Sequence, residues 1–175
     1  MNIKEKKKRH DLYSGFLFYS IGNCKNAFKY LKETNQELNE AWNSGKTNNL
    51  NELGEKDRVF KDYLILKIAG LFDSSKDTIS LLNFAYFLEK EFSDGKQFFE
   101  NLELIREKYK TIIERIIKNR HKVVAHTDDK ELHNLIHMQD LLDMPIPQLL
   151  KEIEDLLASV SCPIFPIGKG PCHVI

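Results

Sequence analysis

The stretch Lys118-Asn119-Arg120-His121-Lys122-Val123-Val124-Ala125-His126-Thr127-Asp128 holds the densest group of nucleotide-competent side chains in the chain. Arg120 brings a permanent, fork-shaped cation whose donors fit a phosphate. His121 follows it directly, and His126 stands five positions further on. Histidine is the side chain best placed to move protons at neutral pH. Together these residue types point to phosphodiester chemistry, with RNA as the first substrate to consider.

The elements that must carry these residues read as helices throughout. Tyr13, Phe16, Leu17, Ser20, Cys24, Ala27, Phe28 and Leu31 fall on three-four spacing. They predict a first helix from about His10 into the Lys32–Trp42 region. Turn-forming residues from Asn43 to Asn49 close it. A second helix is expected from about Glu55 to Phe72 on Val59, Phe60, Tyr63, Leu64, Ile68 and Leu71, stopping at Asp73-Ser74-Ser75. Asp77 or Thr78 would cap a short third helix through Phe84, Phe87 and Leu88, and Ser93-Asp94-Gly95 makes a turn.

Phe98, Leu102, Ile105, Tyr109, Ile112 and Ile116 then alternate along one long fourth helix. The next position in that series is Arg120, so the stripe that packs the core runs into the arginine. A cation on that face calls for a partner. An acid such as Asp73 or Glu114 would pair with it and hold the helix end.

On a continuous helix Arg120 and His126 lie about 120° apart. They converge only if the helix ends between them or if two chains contribute. Val123-Val124 followed by Thr127-Asp128-Asp129 suggests such an end, and Asp128 with Glu131 looks like a capping box for a short next helix. Met144-Pro145-Ile146-Pro147 opens a last amphipathic helix through Val160. The expected class is an all-α antiparallel bundle of four to five core helices. One domain spans residues 1–160, with a Pro- and Gly-containing tail at 161–175.

Size and charge narrow the field. The chain has 175 residues, 42% hydrophobic and 30% charged, enough for one domain with a real core. Lys and Arg number 26, as do Asp and Glu, so any nucleic-acid site must be local. Arg115, Lys118, Arg120 and Lys122 along one helix end would form that groove. Lys4 to Arg9 reads as a solvated, frayed terminus or as an arm on a phosphate backbone. No apolar run approaches the roughly 20 residues of a membrane span, and a cytoplasmic protein is expected. Cys24, Cys162 and Cys172 show no paired spacing, which argues against a disulfide framework or a zinc site.

The helix-end segment, set in such a bundle, resembles a HEPN domain. Leu71-Phe72-Asp73, Asp77-Thr78-Ile79-Ser80-Leu81 and Ala125-His126-Thr127-Asp128 resemble its AbiU-type branch, associated with abortive phage infection. The likeness covers roughly Phe60 to Val160. It implies a metal-independent endoribonuclease working as a homodimer without a cofactor, or an RNA-binding relative that has lost activity. By position, Arg120, His126 and His121 match the family's catalytic pattern, and the two subunits' residues would line one cleft. Asp73 would be a supporting acid, while Lys118, Lys122 and Arg115 would contact RNA. For a toxin of this kind an antitoxin protein is a partner to consider.

The chemistry of RNA agrees with that role. Its 2′-hydroxyl is a built-in nucleophile, so cleavage needs a base, an acid and a cation but no metal. His126 can move the protons, and Arg120 can stabilise charge on the phosphorus oxygens.

Rival signals are weaker. His133 and His137 stand at i and i+4, but Asn134 lies between them and no third ligand is evident, so no metal is expected. His10 and His173 carry no signal. Phe16, Phe18, Tyr19, Phe84, Tyr86 and Phe87 read as core, and Trp42 as packing a helix end. A non-catalytic bundle that binds RNA or a protein, and more remotely a helical phosphotransfer module, stand as alternatives.

Overall fold

The computed structural model describes residues 2–45, 48–125 and 141–160, with 121–125 described by backbone alone. Among the described residues there are six helices and no strands: α1 (Ile3–Asn43), α2 (Leu50–Leu71), α3 (Leu81–Glu91), α4 (Gly95–Lys108), α5 (Lys110–Ala125) and α6 (Ile146–Ser159). The expected all-α bundle is what forms. Helix α1 packs on α2, α3 and α6, α2 packs on α5, and α4 packs on α3, α5 and α6.

Helix α1 begins at Ile3, well before His10. Asn2 accepts from the Glu5 amide at 2.9 Å, and the Glu5 carboxylate accepts from the Asn2 amide at 3.0 Å. This reciprocal capping box satisfies two donors that a frayed end would leave to water. The basic run Lys4 to Arg9 is therefore helical, which overturns the frayed-terminus reading. Lys6 reaches Glu91 at the end of α3 at 2.9 Å. His10 belongs to the core: it is buried, its ring lying 5.5 Å from Phe84 and 6.0 Å from Phe92.

The loop after α1 turns at Gly45, whose φ of 67° suits glycine. Tyr30 then stacks on Phe60 at 5.4 Å, pairing α1 and α2 as an antiparallel hairpin. Helix α2 starts five residues earlier than expected, with Gly54 inside it. An interior glycine costs about 1 kcal/mol, and burial of Leu53 offsets that. Its buried face carries Leu64, Ile65, Ile68 and Ala69, while Val59 and Tyr63 of the expected stripe are exposed.

Ser80, not Asp77 or Thr78, caps α3, its hydroxyl accepting from the Asn83 amide at 3.3 Å. The Thr78 hydroxyl is engaged elsewhere, donating to the Ser75 carbonyl at 2.8 Å. Phe84 and Phe87 enter the core as expected, Phe84 stacking on Tyr13 at 5.7 Å. Phe16, Phe18, Tyr19 and Tyr86 are exposed, and Trp42 is 75% exposed rather than packed at a helix end. One helix presents one face to a core, and on α1 Tyr13, Leu17, Ile21, Cys24 and Leu31 occupy it.

The expected fourth helix is two. Tyr109 leaves helical geometry (φ −107°, ψ 17°) between α4 and α5. Its hydroxyl donates to Glu152 on α6 at 2.8 Å, and Lys108 meets the same carboxylate at 2.6 Å. This tether fixes the joint against α6. Beyond it Ile113 and Ile116 are buried and Ile112 only partly so. Val123 and Val124 lie within α5, which is helical through Ala125, and an end beyond them falls outside the described residues. Valine lowers helix propensity by only a few tenths of a kcal/mol. Helix α6 starts with Pro147 in its first turn, where a missing amide donor is harmless.

Candidate functional site

Asp73 follows directly after the end of α2. Phe72 closes that helix, its amide donating to the Ala69 carbonyl at 3.2 Å. Asp73 then folds back on its own chain: Oδ1 accepts from the Ser75 amide at 2.8 Å, the hydrogen-bonded turn that aspartate favours at such ends. The carboxylate is nearly buried, with 10% of its side chain exposed.

Arg120 comes from α5, five residues before Ala125. Its Nη1 donates to Asp73 Oδ2 at 2.7 Å. The guanidinium is 38% exposed, so it lies at the rim of the α2–α5 contact, partnered on one side and open to solvent on another. The stripe that runs through Ile113 and Ile116 does reach Arg120, as its spacing implied. Asp73 takes the charge, while Glu114 is exposed.

The bonds shape the carboxylate's chemistry. The amide and hydroxyl of Ser75 act first, then the Arg120 guanidinium, and burial opposes them; together they lower the Asp73 pKa from 3.8 to about 2. Asp73 is therefore a fixed anion at neutral pH. It holds Arg120 through the 2.7 Å bond.

Arg115 and Lys118 are exposed on α5. Helix α5 runs on through His121 and Lys122, whose side chains lie outside the described residues, as does His126. His133, His137, His173, the Asp128–Glu131 capping box, Cys162, Cys172 and the tail 161–175 lie outside them too. Among the described residues no group of His, Cys, Asp and Glu could hold a metal ion. No helix there is long and apolar enough to cross a membrane.

Three residues of this corner have roles that the sequence reading did not assign. Ser75 orients Asp73. Thr78 ties the loop by donating to the Ser75 carbonyl. Asn83 donates from Nδ2 to the Ser75 carbonyl at 2.7 Å and to the Thr78 carbonyl at 2.8 Å. An aspartate followed two residues later by serine was a legible signal for the first turn. The Asn83 bonds depend on how α3 leaves the loop, which no local pattern encodes.

In comparisons with known proteins, the model of the HEPN family AbiU2 is similar to residues 57–159, more than half of the chain. The matched span includes Asp73, Asn83, Arg120 and His126, and leaves all of α1 and the first turns of α2 outside. No curated protein and no solved structure matches.

Proposed function

The chain belongs to the AbiU2 family of HEPN domains, and from that premise we propose that it is a metal-independent endoribonuclease. It would act as a toxin or phage-defence effector, as a homodimer. The observation that carries the reading is Arg120, held at 2.7 Å by an ionised Asp73 yet 38% exposed, six residues before His126 in the sequence. A guanidinium oriented from behind and open in front is the arrangement a phosphate-stabilising cation requires.

In the proposed reaction a 2′-hydroxyl attacks the adjacent phosphorus while the bond from phosphorus to the 5′-oxygen breaks. One histidine removes the 2′ proton and another delivers a proton to the leaving 5′-oxygen. The products are a 2′,3′-cyclic phosphate and a 5′-hydroxyl. Arg120 stabilises charge on the non-bridging oxygens. His126 of each subunit supplies the proton transfers, His121 lies beside the arginine in sequence, and Lys118, Lys122 and Arg115 hold the RNA backbone.

The helix favours a site shared between two chains. On a helix Arg120 and a residue six positions on lie about 120° apart, so one chain's Arg120 and His126 would not face one point along a continuous helix. A second subunit related by a two-fold axis would bring the missing histidine to each arginine.

One observation favours a second reading. The ion pair itself fastens α5 to the end of α2, which a non-catalytic bundle binding RNA or a partner protein such as an antitoxin would also use. Incubating the full chain with mixed RNA in EDTA, beside the His126→Ala protein, separates the two. Cleavage by the wild type alone, leaving cyclic-phosphate ends, supports the nuclease. A folded dimer that cuts nothing supports the binding role.

A further inference from the structure

The loop between α2 and α3 is bound more tightly than a connection needs. Ser80 already caps α3 with its own hydroxyl, so the Asn83 side chain is not required for that purpose. Asn83 instead directs its carboxamide backwards, donating to the Ser75 carbonyl at 2.7 Å and to the Thr78 carbonyl at 2.8 Å. A neutral amide nitrogen offers two protons, and here both go to one loop. The Thr78 hydroxyl adds a third donor, at 2.8 Å from the Ser75 oxygen.

Ser75 is therefore fixed at both ends of its backbone. Its carbonyl is held from α3, and its amide donates to Asp73 Oδ1 at 2.8 Å. The other oxygen of the same carboxylate receives Arg120 at 2.7 Å. A continuous path of hydrogen bonds thus runs from Asn83 through Ser75 and Asp73 to Arg120. It joins α3 and the end of α2 to α5, which lies far from both in the sequence.

We propose that Asn83 is a positioning residue of the Arg120 site, setting the angle of the Asp73 carboxylate and through it the place of the guanidinium. The placement itself stands on geometry; its kinetic consequence rests on the nuclease reading above. Groups that act on a transition state must be held within roughly 0.5 Å and 10–20°. A carboxylate gripped on one oxygen alone can swing about its own bond and carry the arginine with it. The Ser75 amide on the second oxygen prevents that swing, and Asn83 keeps Ser75 in place.

The test uses three full-length proteins: wild type, Asn83→Ala and Thr78→Val. The Asp73 carboxyl is titrated by carbon NMR, and kcat and KM are measured on RNA. Asn83→Ala is expected to raise the Asp73 pKa towards the ordinary carboxylate range as Ser75 loosens. It should lower kcat about 100-fold, with KM changed less than about threefold. Thr78→Val, which removes one bond from an exposed loop, should shift the titration the same way by less.

A folded Asn83→Ala protein with unchanged Asp73 titration and unchanged kcat overturns the proposal. If Asn83→Ala does not fold, Thr78→Val decides: an unmoved titration there overturns it as well. Should the wild type cut no RNA while Asn83→Ala still shifts Asp73, the nuclease reading fails and the positioning role stands.

Discussion

Arg120 and Asp73, 47 residues apart in sequence, meet at 2.7 Å between the end of α2 and the last turns of α5. The acid is nearly buried and the base is partly open. That asymmetry gives the pair its character: the anion is fixed by its own loop, and the cation is anchored to it. Each member can be changed separately, and the two changes should differ.

Arg120→Ala leaves Asp73 its Ser75 bonds but removes its cation. The expected loss of stability is about 1 kcal/mol, since the guanidinium is partly solvated. The expected loss of RNA cleavage is about 100- to 1,000-fold, the scale for removing one charge-stabilising donor. Urea denaturation and a cleavage assay measure the two. An Arg120→Ala protein that unfolds outright would mark the arginine as structural.

Acid should weaken the fold at this corner in a defined window. The folded pKa of Asp73 lies at about 2, below the unbound value of 3.8. Its stabilising contribution is therefore full above about pH 4 and is lost as pH falls towards 2. Urea titrations between pH 2 and 5 should show a shallower acid limb for Asp73→Asn than for the wild type. Equal limbs would mean that the Ser75 and Arg120 bonds persist in the unfolded chain or never form.

The proposed chemistry depends on a single hydroxyl. An RNA with one 2′-deoxy nucleotide at the cut position should be inert at that bond and cleaved normally elsewhere, with EDTA present throughout. Cleavage at the deoxy position would exclude attack by the 2′-oxygen. Mapping the product ends by gel mobility before and after phosphatase treatment checks this.

Gly95 opens α4 against the end of α3. A Cβ built there would lie 2.1 Å from the Leu88 carbonyl carbon and 2.2 Å from the Glu89 amide nitrogen. Backbone cannot yield as a flexible side chain would, so the α3–α4 turn would have to open. Gly95→Ala should lower stability by about 1–3 kcal/mol, whereas Gly22→Ala, with nothing within 4 Å, should not. Thermal melts of the two proteins make the comparison.

Cys24 is buried on α1, and burial pushes its thiol up to about 12, only slightly opposed by Lys67. The thiolate is the reactive form, so this thiol should resist a disulfide reagent at pH 8 until urea opens the fold. The measurement is made in a chain whose Cys162 and Cys172 are replaced by serine. Rapid native labelling would show that α1 leaves the core readily.

Local pattern determined the class, the last helix, the stop at Asp73-Ser74-Ser75 and the inward course of Arg120. Each follows from the spacing of side chains along one element, or from residues that cannot continue a helix. Even the partner was legible in part, because a cation on a core-facing stripe requires an acid and Asp73 was one of two within reach of the argument. Tertiary structure decided what depends on a second surface. Which aromatics of α1 are buried, why His10 is core, where Tyr109 breaks the long helix and how Asn83 grips the loop were all settled by neighbours distant in sequence. Periodicity reports which face of a helix is apolar. It does not report what lies opposite that face, and burial and hydrogen bonding are properties of the pair.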